Sequence, residues 1–112
     1  MAGNFYQVSP YVTNLSLGAS VNTDPLFIGS FDHVSIQKVV TGAAGLNATL
    51  QLQKSVDGVS WDNQGSSISL TGDAVNITQI ADVPYGYIRY VYTRTAGTGT
   101  LNIKIGSINH AH

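Results

Sequence analysis

The sequence predicts an all-β fold: a single-domain antiparallel β-sandwich, jelly-roll-like, with little or no helix. Apolar and polar residues alternate over several short stretches, most cleanly at residues 47–54, 87–93 and 100–105. Glycine, proline and aspartate clusters punctuate the 112-residue chain every eight to twelve positions or so. Nowhere do apolar residues recur at helical three-and-four spacing over a long window.

Residues 4–9 and 11–17 are aromatic and β-branched runs broken at Pro10, which cannot donate to a sheet ladder, so they predict an edge strand or an arm that bends. Residues 18–25 form a loop punctuated by Asp24-Pro25, and Leu26, Phe27, Ile28 and Phe31 form an apolar patch broken at Gly29. Val34 and Ile36 then alternate with Ser35 and Gln37, but Lys38 falls on the apolar side, which leaves the buried face ambiguous near the strand's end. Residues 41–45 predict a turn, and Ala48, Leu50 and Leu52 an inward face beyond it. Asp57-Gly58 marks a tight turn, after which Trp61 can bury a large ring. Residues 66–70 and 75–80 are short alternating runs. Residues 87–105 predict a β-hairpin looping at residues 96–99, with Tyr92 opposite Leu101, Tyr90 opposite Ile103 and Ile88 opposite Ile105. The whole of 1–112 forms one domain, with possible contact arms at 1–17 and 106–112.

Composition narrows the function. The formal net charge of −1 supplies no electrostatic footprint for nucleic acid or an anionic membrane. Cysteine is absent, so packing alone holds the fold and no thiolate serves as nucleophile or metal ligand. Charged residues make up 10% of the chain, against roughly 25% in ordinary soluble domains, and so neutral a surface favours cover by a partner or by further copies. No secretory leader is visible at the N-terminus, and no apolar run is long enough to span a bilayer.

Every acidic residue is an aspartate, and each of Asp24, Asp32, Asp57, Asp62, Asp73 and Asp82 lies at or beside an expected turn, where carboxylates bind backbone amides. Residues 57–62 have some character of a calcium loop but lack its alternating ligands and its terminal glutamate. Asp32 and His33 are adjacent and point to opposite faces of a strand, which disfavours a catalytic dyad. His110 and His112 share a strand face but stand at a chain end. No cofactor or metal is implied. Of the three Asn-x-Ser/Thr sequons, at Asn14, Asn47 and Asn76, one or two are expected by chance in a chain so rich in Asn, Ser and Thr, and without a visible secretory leader they are discounted as glycosylation sites. Trp61, Tyr85 and Tyr87 remain as rings able to stack on sugars.

Leu52-Gln53-Lys54-Ser55-Val56-Asp57-Gly58-Val59-Ser60-Trp61, then Tyr87-Ile88-Arg89-Tyr90 and Gly97-Thr98-Gly99-Thr100-Leu101-Asn102, give the second half of the chain a pattern that resembles small β-sandwich virion proteins of tailed bacteriophages. The Ser-x-Asp-Gly-x-x-Trp turn also occurs in discoidin-like sandwiches, whose usual cysteine pair is missing here. The resemblance implies a head decoration, or cement, protein: non-enzymatic, made in the host cytoplasm and placed on the capsid surface of the virion. Its implied partners are the major capsid protein and further copies of itself, as a homodimer or homotrimer. Phe5, Tyr6, Val8, Tyr11, Val12 and Ile108 are the candidate contact residues on the arms. The alternative is a carbohydrate-binding module of a phage tail or fibre, stacking a glycan on Trp61, Tyr85 and Tyr87.

Overall fold

Two long strands run through the whole molecule. In the computed structural model, which describes residues 4–28, 33–81 and 86–110, β4 (His33–Ser55) and β8 (Tyr87–His110) pair antiparallel from end to end. A straight strand of 23 residues would run roughly 75 Å at about 3.3 Å per residue. The longest dimension of the molecule is 51 Å. Both strands therefore bend, and the bend converts one continuous sheet into two facing layers.

In the first layer the order is β1 (Asn4–Ser16), the C-terminal half of β8, the N-terminal half of β4, then β7 (Ala74–Ala81). In the second, the N-terminal half of β8 pairs on one side with β2 (Val21–Asn22) and β3 (Leu26–Phe27). On its other side lies the C-terminal half of β4, bordered by β5 (Asp62–Asn63) and β6 (Ile68–Leu70). The inward residues make one core: Val34, Ile36 and Val40 from one half of β4, Ala48, Leu50 and Leu52 from the other, and Ile88, Tyr90, Tyr92, Leu101, Ile103 and Ile105 from β8. Removing such side chains from water, at about 25 cal/mol per Å² of apolar surface, is what drives the layers together.

The hairpin expected at residues 87–105 does not form. Tyr92 lies opposite Leu50 and Leu101 opposite Val40, so both expected arms are parts of β8 and pair with β4 instead of with each other. Residues 41–45 are likewise not a turn between separate strands but the matching bend of β4. Register shifts between Thr41 and Ala48 mark β-bulges, which kink a ladder and raise its twist. Gly42, Gly45 and Gly97 take positive φ of 62°, 59° and 86° there. Side groups brace the fold line: Asp73 Oδ1 accepts the Ala43 N–H at 2.7 Å, and Arg94 donates from Nε to the Gly97 carbonyl at 2.7 Å. The inward faces are nevertheless those expected, because a bulged strand keeps the period of two on either side of its bend.

The expected edge strand is found. β1 pairs with β8 alone, with register shifts between Pro10 and Val12 and between Val12 and Leu15. Its partner at one end is the other chain terminus, with Asn4 opposite His110 and Val8 opposite Gly106. The two candidate arms thus lie side by side within the sheet.

Candidate functional site

The outer face of the first layer carries an uncovered apolar row. Val8, Val75 and Ile77 are exposed to 58%, 65% and 59%, values unusual for such side chains within strands. Pairing places them together: Val8 opposite Gly106, Gly106 opposite Ser35, Gln37 opposite Ile77 and Val39 opposite Val75. Gly106 has no side chain, and a shallow groove of about 290 Å³ crosses the face between Val8 and Ile77, with Lys104 and Gln37 along it. The groove ends at β1, whose far edge bonds to no other strand among the described residues. An open edge offers its N–H and C=O groups to another chain.

Of the candidate contact residues, Val8 is thus on the exposed face. Tyr11 and Val12 are half-buried and pack against the core. Tyr11 donates to the Asp24 carbonyl, so the 2.7 Å contact with Thr23 is donated by the Thr23 hydroxyl. Burial, the largest influence, pushes the Tyr11 hydroxyl above the ordinary tyrosine pKa, while the Thr23 bond lowers it. Tyr11 is therefore held inside its own chain. Phe5, Tyr6 and Ile108 have their backbone in β1 and β8, with Tyr6 opposite Ile108, but their side chains lie outside the described residues.

Sequence reasoning missed Val75 and Ile77. Along β7 Val75 and Ile77 face out, while Ile80 is buried in the core and Thr78 accepts a hydrogen bond from Lys38 Nζ at 2.7 Å. Lys38 on the apolar side of β4 was the available signal, since a buried ammonium needs a polar neighbour on the adjoining strand.

The outer face of the second layer holds the candidate sugar-stacking rings. Tyr87 and Arg89 point the same way from β8. Tyr87 meets Phe27 edge-on, with ring centroids 5.3 Å apart at 63°. The Arg89 guanidinium lies 4.4 Å from the Trp61 ring centroid and is held there by donation from Nε to Gln53 Oε1 at 2.8 Å. Trp61 is half-buried, with the cation on its ring, rather than sunk in the core. Tyr85 lies outside the described residues. Phe27, exposed to 52%, joins this row without having been expected in it.

The expected turn at Asp57-Gly58 is present. Asp57 Oδ1 accepts N–H groups from Val59 and Ser60 and the Ser55 hydroxyl at 2.8, 3.0 and 3.0 Å, and Gly58 takes a φ of 79°. The Ser60 and Val59 amides, followed by the Ser55 hydroxyl, hold its carboxyl below the usual aspartate pKa. Asp73 and Asp62 also bind backbone amides, those of Ala43 and Asn63. Among the described residues no three His, Cys, Asp or Glu side chains gather as a metal site would require. Asp32, Asp82 and His112 lie outside the described residues, as does the side chain of His110.

No known protein family and no curated protein matches the sequence. Solved structures share the fold. The SPBc2 prophage-derived protein YomS superimposes with a TM-score of 0.65 at 9% identity, over 96% of this chain and 97% of that one. The PBSX exported protein XepA gives 0.64 at 14% identity, over 95% of this chain and 38% of its own. VP2 of infectious bursal disease virus, from a subviral particle, gives 0.56 at 14% identity, over 96% and 33%. This chain therefore spans nearly all of YomS but well under half of XepA or VP2. At these identities the likeness is one of fold.

Proposed function

We propose that this chain is a non-enzymatic structural protein of a phage virion, a decoration or cement protein that binds the outer capsid lattice and bridges subunits of the major capsid protein as a homodimer or homotrimer. The observation that carries this reading is the open edge of β1 next to the uncovered row of Val8, Val75 and Ile77. An edge strand gives backbone hydrogen bonds to an added strand, and an apolar face beside it gives the burial that makes the addition stable. Support comes from the sequence pattern shared with virion sandwiches, and from recurrence of the fold in a prophage-derived protein and in VP2 of a subviral particle. The carboxylates of Asp57, Asp62 and Asp73 are occupied in binding backbone amides.

The test is the copy number of the chain in purified particles, by quantitative mass spectrometry against the major capsid protein. A simple ratio to the capsid protein, at hundreds of copies, supports cementing, and absence from particles overturns it. Because β1 is a full edge strand, deleting it would damage the sheet, so a Val8→Lys, Ile77→Lys double variant is the better probe. It should stay folded and lose occupancy, and unchanged occupancy counts against this surface.

The row of Phe27, Tyr87, Arg89 and Trp61 favours a second reading, a glycan-binding module of a phage tail or fibre. A handful of copies per particle, with glycan binding abolished by Tyr87→Ala, would replace the first reading with this one.

A further inference from the structure

Both edges of the first layer lie open, and both lack the features that keep sheet edges apart. β1 has 13 residues and β7 has eight, and neither carries a charged side chain. The outer edge of each bonds to no other strand among the described residues. Natural sheets blunt their edges with charge, with proline and bulges, or by keeping edge strands short. The second layer uses shortness: β2, β3, β5 and β6 are two or three residues long. In the first layer β1 is blunted only from Pro10 onward, where its register shifts begin, and β7 pairs with β4 without a shift from Ala74 to Ala81. Residues 4–9 and the whole of β7 are thus regular, uncharged and open on their outer sides.

The two edges fit each other. Neighbours in the order β1, β8, β4, β7 are all antiparallel, so β1 and β7 run in opposite directions. They also stand level: Val8 lies across from Gln79 through Gly106 and Ser35, and Pro10 from Ile77 through Lys104 and Gln37. A copy set beside this sheet the same way up therefore brings its β7 against β1 antiparallel and at the same height. The side chains agree as well. Val8, Val75 and Ile77 are all exposed on the outer face, so joined copies carry the apolar row from one to the next. Pairing β1 with β1 about a two-fold axis would leave both β7 edges open, whereas one β1 to β7 contact per copy leaves none.

We propose that β1 of one copy adds to β7 of the next, head to tail, closing a ring of three or more copies whose outer face carries a continuous band of Val8, Val75 and Ile77. Head-to-tail contacts form rings when the repeated rotation closes, and closure leaves no free edge. The ring rests on the homo-oligomeric virion protein proposed above and deepens it: the partner at the β1 edge is a second copy, the homodimer is excluded, and the apolar band is left for the capsid protein.

The chain has no cysteine, so introduced thiols report without background. Val8→Cys and Gln79→Cys single variants are co-expressed and oxidised, with Ile77→Cys in place of Gln79→Cys to cover a slip of two residues, which keeps the faces. Disulfides should join one variant to the other and form in neither alone. Within one copy the two positions are three strand spacings apart, roughly 14 Å at about 4.8 Å each, which a disulfide cannot bridge. Native mass spectrometry of the unaltered chain should show one closed species of three or more copies across a dilution series. Should the thiols disturb the fold, Val8→Lys with Gln79→Lys should dissociate the ring, and Val8→Lys with Gln79→Glu should keep it. Disulfides in Val8→Cys alone, or a monomer, a dimer or an open polymer of the unaltered chain, would overturn the ring. The ring is read on the free chain and the copy number on particles, so either can fail while the other stands.

Discussion

Gly97 and Gly45 meet where the two long strands bend, so closely that a Cβ built on Gly97 would stand 2.3 Å from the Gly45 carbonyl oxygen and 2.5 Å from the Leu46 Cα. Both contacts are to backbone, which cannot swing aside, and Gly97 has a φ of +86° besides. Positive φ alone costs a non-glycine residue about 1–3 kcal/mol. Gly97→Ala should therefore lower the thermal midpoint by roughly 10 °C or more, at about 4–8 °C per kcal/mol for a chain of this size. Gly72→Ala is the control, because its new Cβ would meet nothing within 4 Å. Equal midpoints for the two variants would mean that the bend is not held by this contact.

The same pair explains where the sequence could be read and where it could not. The inward faces of Val34 and Ile36, of Leu50 and Leu52, and of Tyr90 and Tyr92 were legible because alternation is local. The bend was not. A glycine at positive φ serves a hairpin loop and a bulge equally well, and the choice here is made by pairing with β4, some fifty residues away along the chain. Asp57 was legible because its turn is closed by residues within three positions of it. Val75 and Ile77 were not, since β7 has apolar residues on both faces, Ile80 being buried, and the choice of face is made by its pairing with β4.

Asp57 yields a prediction about the loop rather than the core. Its carboxyl pKa is depressed, so the bonds it accepts stabilise the folded state above the ordinary aspartate value and are lost as pH falls through the lower folded one. Asp57→Ala should speed hydrogen exchange at the Val59 and Ser60 amides at neutral pH. Asp57→Asn keeps an acceptor oxygen, so its exchange protection should be less sensitive to acid than that of the wild type. Unaltered exchange in the alanine variant would show that Gly58 shapes the turn without the carboxylate.

Thr23 stands between β2 and β3, where the edge of the second layer is broken. Its hydroxyl accepts the Tyr90 N–H at 2.8 Å, and its own N–H donates to the Tyr90 carbonyl at 2.9 Å. Thr23→Val keeps the shape and leaves a buried donor unpaired, an expected loss of about 1–3 kcal/mol in denaturant unfolding. Thr23→Ser restores the acceptor and should recover most of that loss. If valine proves as stable as threonine, water supplies the missing acceptor.

Lys38 makes stability depend on pH in a direction opposite to that of a paired lysine. Its folded pKa of about 8 lies below the ordinary 10.5. Between those values the unfolded chain holds a proton that the folded chain has given up, so stability rises with pH through the window. Below it, both states are protonated and the full burial penalty applies. The penalty is at most on the order of 3 kcal/mol, at about 1.4 kcal/mol per pKa unit. Tyr11 and Tyr92 work against this at higher pH: burial raises both hydroxyls, so the unfolded tyrosines lose their protons first and stability falls above about pH 10. Comparison with Lys38→Met cancels the tyrosines. The methionine variant should match or exceed the wild type in denaturant unfolding at about pH 7, and that advantage should shrink steadily toward about pH 9.5. A constant difference across this range would mean that the Lys38 ammonium is as well solvated in the fold as in water.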